Sequence, residues 1–232
     1  MYNPPPPFAY YRLPLLSRRR RRNPPVVSLP RIDQAFQLKP QQRAVQAKGW
    51  RESLLSIGRK LITSDTDPPP RAQKETIRSI AESLETVNPT AKPALSPMSD
   101  GQWKCLYTDA PGPSGGKLGP FLGRVYQDID MAARRYVNIL ECGKKGADPW
   151  LAARLVATWE VVDDDTWEVT FENVEVTAWG KRLGSKEFKN VSRLWKMTYV
   201  DDQIRVLRAR RPQKREDQAW LFVLQRDDGV GR

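Results

Sequence analysis

The residue types that carry most protein chemistry are thinly supplied in this chain of 232 residues. Histidine is absent, which removes the usual general base, the commonest metal ligand and every Ser/His or Cys/His catalytic pair. Cys105 and Cys142 have no C-x-x-C spacing, so zinc, haem and iron–sulfur sites lack ligands. Two thiols make no disulfide scaffold and point to a reduced, intracellular setting, with a single bridge between them left open. Asp163-Asp164-Asp165 and Asp201-Asp202 offer adjacent carboxylates for acid–base work or calcium. Neither run follows a calcium-loop pattern, and aspartate is an ordinary turn former. APGPSGGKLGPFLG, residues 110–123, has a superficial likeness to a phosphate loop, but Leu118 follows Lys117 where Ser or Thr is needed, and Gly112 stands one residue too close to the Gly-Lys pair. Asn190-Val191-Ser192 fits the glycosylation acceptor pattern. No nucleophile–base pair, metal set or required cofactor is left, and the expectation is a protein that is not an enzyme.

Two features remain that could recognise something. Leu118, Phe121 and Leu122 lie between glycines and prolines, and they suit a lid over a hydrophobic cavity, a wedge into lipid, or simple packing on the end of a fold. The second feature is the block Arg18, Arg19, Arg20, Arg21, Arg22. Residues 1 to 48 carry ten Lys/Arg and one acid, a local charge of ten minus one, or +9 of the total +12. Basic character therefore belongs to an arm rather than to the globule. Three partners suit that arm: an acidic protein surface, an anionic membrane, or nucleic acid. Flanking Phe8, Tyr10, Tyr11, Leu13, Leu15 and Leu16 favour protein or membrane, because no RNA-binding motif or aromatic platform follows. Nucleic acid is the least favoured.

The elements that must position these residues divide the chain into three. Residues 1–40, with their run of prolines, form an extended Pro/Arg-rich arm that cannot fold alone, a targeting or docking segment with some likeness to an organelle transit peptide. Residues 41–90 form a two-helix entry module. In 41–62, Trp50, Leu54, Ile57 and Leu61 fall on one helical face; in 71–87, Ile77, Ile80, Ala81, Leu84 and Val87 do the same, stopping at Asn88-Pro89. Residues 91–232 change to period two and to β-branched and aromatic residues. Strands are expected near 101–108, 123–130, 134–142, 151–162, 166–178, 191–200, 203–209 and 219–226. A phase slip at Asn173 marks a bulge, and the aspartate runs mark hairpin turns. The expected fold is mainly β: two helices followed by an antiparallel up-and-down barrel of about eight strands, with no exposed edge. Alternation nominates Tyr107, Tyr126, Val137, Leu155, Trp159, Val169, Phe171 and Tyr199 as interior, ligand-binding positions. A one-residue register error would invert that choice, and a filled core is as compatible with the pattern as an open cavity.

The ordered segments LLSIGRKLI, RAQKETIRSIAESLETVNP, DGQWKCLYTD, GRVYQDID, YVNILEC, MTYVDDQIRVLRARR and WLFVLQRDD resemble the plastid lipid-associated proteins, also called plastoglobulins or fibrillins, across residues 52–228. The resemblance implies a lipocalin-like barrel in which Gly101 and Trp103 match the floor and Arg205 or Arg208 matches the arginine stacked on the tryptophan. Glycine suits a tight entry, and burying about 200 Å² of indole contributes roughly 5 kcal/mol at about 25 cal/mol per Å². The Gly-x-Trp is therefore read as a plug rather than a ligand contact. The resemblance also implies an apolar plastid molecule as ligand: a quinone, carotenoid, chlorophyll or lipid. It implies location in the plastid (chloroplast), at thylakoids or plastoglobules. The arm, and the very basic stretch over 205–215, depart from the family and favour docking to a thylakoid membrane or photosynthetic complex. The competing expectation is a structural linker or scaffold subunit of a large photosynthetic assembly, with no ligand in its barrel.

Overall fold

The computed structural model describes residues 40–63, 71–144 and 146–227. The arm, including Arg18 to Arg22, lies outside the described residues. Two helices, α1 (Pro40–Thr63) and α2 (Arg71–Glu85), precede the strands. Eight long strands follow: β1 (Gly101–Thr108), β4 (Arg124–Asp130), β5 (Arg135–Cys142), β6 (Leu151–Val161), β7 (Thr166–Ala178), β8 (Lys181–Val200), β9 (Ile204–Arg210) and β10 (Trp220–Arg226). A short ladder, β2 (Lys117–Leu118) with β3 (Phe121–Leu122), sits in the glycine-rich connection after β1. The eight close into a barrel ordered β1-β10-β9-β8-β7-β6-β5-β4, antiparallel throughout, with β4 returning to β1.

Turn chemistry explains the up-and-down order. At the β8–β9 turn, Asp201 Oδ1 accepts from the backbone N–H groups of Gln203 (2.8 Å) and Ile204 (2.7 Å). At the β6–β7 turn, Asp163 Oδ1 accepts from Asp165 N at 3.0 Å. Both aspartate runs thus close hairpins, as aspartate does when its side chain substitutes for a backbone acceptor. The bulge falls at Glu172: Ala157 pairs with Phe171 and Val156 with Asn173, so Glu172 is skipped.

The helices cover one flank. Trp50, Leu54, Ile77, Ile80, Ala81 and Leu84 are buried in one cluster with Tyr107, Tyr199, Val206 and Val223 from the outer face of β1, β8, β9 and β10. Arg51 fastens α1 to the β8–β9 turn through Asp201 at 3.0 Å. α2 ends beside Asn88, whose side-chain oxygen accepts from Val200 N at 3.2 Å, so its last turn is tied to the barrel.

Candidate functional site: the barrel interior and its two ends

The barrel is sealed at the end where β1 begins. Trp103, Trp159, Trp167 and Trp195 pack there with Tyr136, Met197, Leu207, Phe222 and Leu224. Trp159 and Trp167 stack at 4.0 Å, and Tyr136 meets Trp195 edge-on at 4.6 Å. Two single-turn 3-10 segments, Pro93–Leu95 and Pro97–Ser99, cross this end as a floor. Their carbonyls take the indole protons: Trp167 Nε1 donates to Ala94 O at 2.8 Å and Trp103 Nε1 to Ser99 O at 2.9 Å. Gly101 has φ +92°, a left-handed backbone that disfavours any side chain, and a Cβ there would stand 3.2 Å from an Arg226 nitrogen.

Two guanidinium groups flank the plug. Arg205 Cζ lies 5.3 Å from the Trp103 ring centroid and Arg226 Cζ 4.3 Å. Arg226 comes from the last strand and donates to the carbonyls of Asp100 (2.8 Å) and Asp202 (3.0 Å), tying that strand to the entry of β1 and to the β8–β9 turn. Its role was not legible in the sequence because nothing in WLFVLQRDD sets that arginine apart. Arg208, the alternative to Arg205, belongs outside the barrel, where it pairs with Glu85 of α2 at 2.9 Å.

Arg205 is the unusual group of the interior. It is fully buried, and its Nη2 donates to the side-chain oxygen of buried Gln127. Its Nε and Nη1, together with Gln127 Nε2 and Trp159 Nε1, find no hydrogen-bond partner among the described residues. Nor does a carboxylate: Arg205 is in none of the ion pairs of the described residues. Burial pushes its pKa down to about 9, which leaves it a cation at neutral pH. Nearby, Tyr136 donates to Asn138 Oδ1 at 2.9 Å, and burial holds that phenol well above its ordinary range. A buried, incompletely paired charge is expensive unless something supplies an acceptor. Among the described residues no group of three or more Cys, Asp or Glu could hold a metal ion.

Toward the opposite end the interior opens. Leu155, Phe171, Val174, Val176, Val191 and Arg193 are half-buried. Arg193, the cross-strand partner of Val169, lies 5.5 Å from the Phe171 ring. An open groove of about 600 Å³ is lined by Phe171, Asn173, Glu187, Phe188 and Asn190 where β8 bulges away from β7.

The structure sorts the eight expected interior residues in two. Leu155, Trp159, Val169 and Phe171 belong to the interior cluster. Tyr107 and Tyr199 instead lie under the helices, and Tyr126 and Val137 form a separate cluster with Ile139. These four placements are corrections. Register shifts between Cys105 and Tyr107 and between Met197 and Tyr199 turn both tyrosines outward. On β4 and β5 the interior positions include polar Gln127 and Asn138, so alternation of apolar residues pointed to the wrong face. Leu118 packs into the interior cluster around Cys142, whereas Phe121 and Leu122 stay exposed. Both cysteines are free thiols.

A closed eight-stranded antiparallel barrel, floored by a Gly-x-Trp and flanked by arginine, defines a protein of lipocalin-like architecture. The family model PAP_fibrillin matches residues 66–224, well over half of the chain, and the chain belongs to that family of plastid lipid-associated proteins. No curated protein matches it at significance.

Proposed function

We propose that this chain is a non-enzymatic protein that binds or shields an apolar plastid molecule in its barrel, with the Pro/Arg-rich arm docking it to a thylakoid or photosynthetic complex. The observation that carries the reading is Arg205, a buried cation whose Nε and Nη1 are unpartnered among the described residues, beside the unpartnered amide nitrogen of Gln127. An acceptor oxygen at the head of an otherwise apolar molecule satisfies those donors, and the half-buried apolar side chains toward the open end suit its tail. Among quinone, carotenoid, chlorophyll and lipid, this favours molecules with a carbonyl or carboxylate oxygen. Family membership supports a lipid-associated role in the plastid. Native mass spectrometry and organic-solvent extraction of protein isolated from plastids test it. An oxygen-bearing prenyl lipid or acyl lipid is expected from the wild type and not from Arg205→Met. Repeated recovery of nothing would sink the reading.

A ligand-free linker is favoured by one observation, the four tryptophans that fill the floor end. Deleting residues 1–40 separates the two, since a linker leaves its complex while a carrier keeps its cargo.

A further inference from the structure

The end of the barrel opposite the Trp103 floor carries an apolar row that packing does not explain. β7 turns into β8 through Trp179-Gly180, with Ala178 paired to Lys181. Both turn residues have positive φ, 47° and 73°. Such a two-residue turn matches the twist of a hairpin and is normally made by Asn-Gly or Gly-Gly, because left-handed backbone is unfavourable for a bulky side chain. Tryptophan is among the least suited residues for this position. It nevertheless sits at the apex with 77% of its surface exposed. The Trp179 N–H donates to Trp150 O at 2.7 Å, so the fold holds this strained apex, and an indole kept there in solvent calls for a function.

The neighbours of that indole supply one. Trp179 is 5.7 Å from Trp150, which meets Phe121 edge-on at 4.8 Å. Phe121, Leu122 and Leu183 are exposed by 42%, 47% and 66%. The aromatic contacts thus join three separate connections, β3, the β5–β6 loop and the β7–β8 turn, into one exposed ridge. The ribbon bearing the apex is cationic: Lys181, Arg182, Lys186 and Lys189 face Glu187 alone over residues 181–189, four minus one, or +3. Arg182 has a partial partner in Glu175 at 3.3 Å, and Lys117 stands exposed beside Leu122. These lysines also keep the free edge of β8 from pairing with another strand, since only 194–200 of β8 pairs with β9.

We infer that this end is a membrane-docking face, on which Trp179, Leu183, Phe121 and Leu122 enter the interfacial layer of an anionic lipid surface while the flanking cations meet its headgroups. Indole favours the boundary between hydrocarbon and water, and basic residues at a short distance add attraction to anionic lipid. An acidic protein surface matches the charges equally, but an exposed row of indole, phenyl and leucine on separate loops fits a fluid apolar layer better than one fixed partner. This docking is independent of any cargo near Arg205, so each can fail without the other.

The test uses the full chain and vesicles of phosphatidylcholine with and without phosphatidylglycerol, read by flotation and by quenching of tryptophan with brominated lipid. Trp179→Asn places a residue preferred in this turn, so the hairpin is kept while the indole is lost. Binding of the wild type to phosphatidylglycerol vesicles is expected to persist in part at about 0.5 M salt, where screening reduces the contribution of the arm. Trp179→Asn should weaken it about tenfold and remove a share of the quenching, and adding Leu183→Ser should weaken it further. Unchanged affinity and quenching in both variants would overturn the inference, as would binding abolished by salt in the wild type. A wild type that floats with neither vesicle overturns it too and transfers the ridge to a protein partner.

Discussion

Arg208 of β9 and Glu85 of α2 form a two-pronged ion pair: Nε to Oε1 at 2.9 Å and Nη2 to Oε2 at 3.0 Å. Thr198 donates to the same Oε1 at 2.8 Å, so one carboxylate joins the second helix to two strands. The pair is largely screened from water, which raises its worth above that of an exposed bridge. Glu85→Ala should lower the unfolding free energy by about 2 kcal/mol, because it leaves a half-buried guanidinium with only the distant Glu82. Urea denaturation measures this. Arg208→Ala should add little once Glu85 is gone, and an additive double mutant would show that the two do not act as a pair.

Gly58 lies mid-helix in α1, where alanine would ordinarily be worth about 1 kcal/mol of added helix stability. Here a Cβ would stand 2.8 Å from two carbons of Leu106 on β1. The helix crosses the barrel too closely to admit a methyl group, and overpacking costs roughly 1 to 3 kcal/mol. Gly58→Ala should therefore destabilise, and the companion change Leu106→Ala should recover part of the loss. A stabilised Gly58→Ala in thermal unfolding would mean that the contact relaxes freely.

The same two residues show which parts of the molecule the amino-acid pattern discloses. Strands with one face in the core, such as β6 with Leu151, Ala153, Ala157 and Trp159 buried, declare themselves by alternation, and the expected bounds fall within a residue or so of those observed. The first half of β8, KRLGSKEFKN, falls between the expected strands 166–178 and 191–200 and is itself strand. Its side chains are almost all exposed, so no burial imprints a period on it. Interior lining was read only in part, because bulges at Leu106 and Thr198 reverse parity at the next tyrosine and because Gln127, Asn138 and Arg205 put polar residues inside. Gly58 and Arg226 were silent for a different reason. Their roles arise from close approach of segments distant in sequence, which no local spacing records.

The cysteines give a direct reporter of closure. Burial pushes the Cys105 thiol up to about 12, and it raises Cys142 as well. Only thiolate reacts readily with iodoacetamide, so both should resist alkylation at pH 8 in the native protein and react in urea. The sign of the pH effect follows: the unfolded thiol ionises near its ordinary value, so above about pH 9 the unfolded state loses protons first, and the Cys105 contribution to stability declines from there upward. Rapid native alkylation of Cys105 would contradict a closed barrel.

Arg205 titrates in the opposite sense and supplies the sharpest test of the interior. Its pKa is depressed by burial to about 9, whereas the unfolded guanidinium keeps its ordinary, far higher value. Below pH 9 both states hold the proton and the unfavourable burial of the charge is fully present. Between about 9 and 12 the unfolded state binds more protons than the folded one, so stability rises with pH by up to about 1.4 kcal/mol per unit. In a Cys105→Ala background, the unfolding free energy of Arg205-containing protein minus that of Arg205→Met should be flat from pH 7 to 8.5 and climb by about 1 kcal/mol or more by pH 10.5. An anionic head bound beside Arg205 holds the proton in place, so the climb should move to higher pH when the cargo is present. A flat difference in stripped protein across the whole range would show that the guanidinium already has a partner that keeps it charged, and the case for an acceptor-bearing ligand would lose its main support.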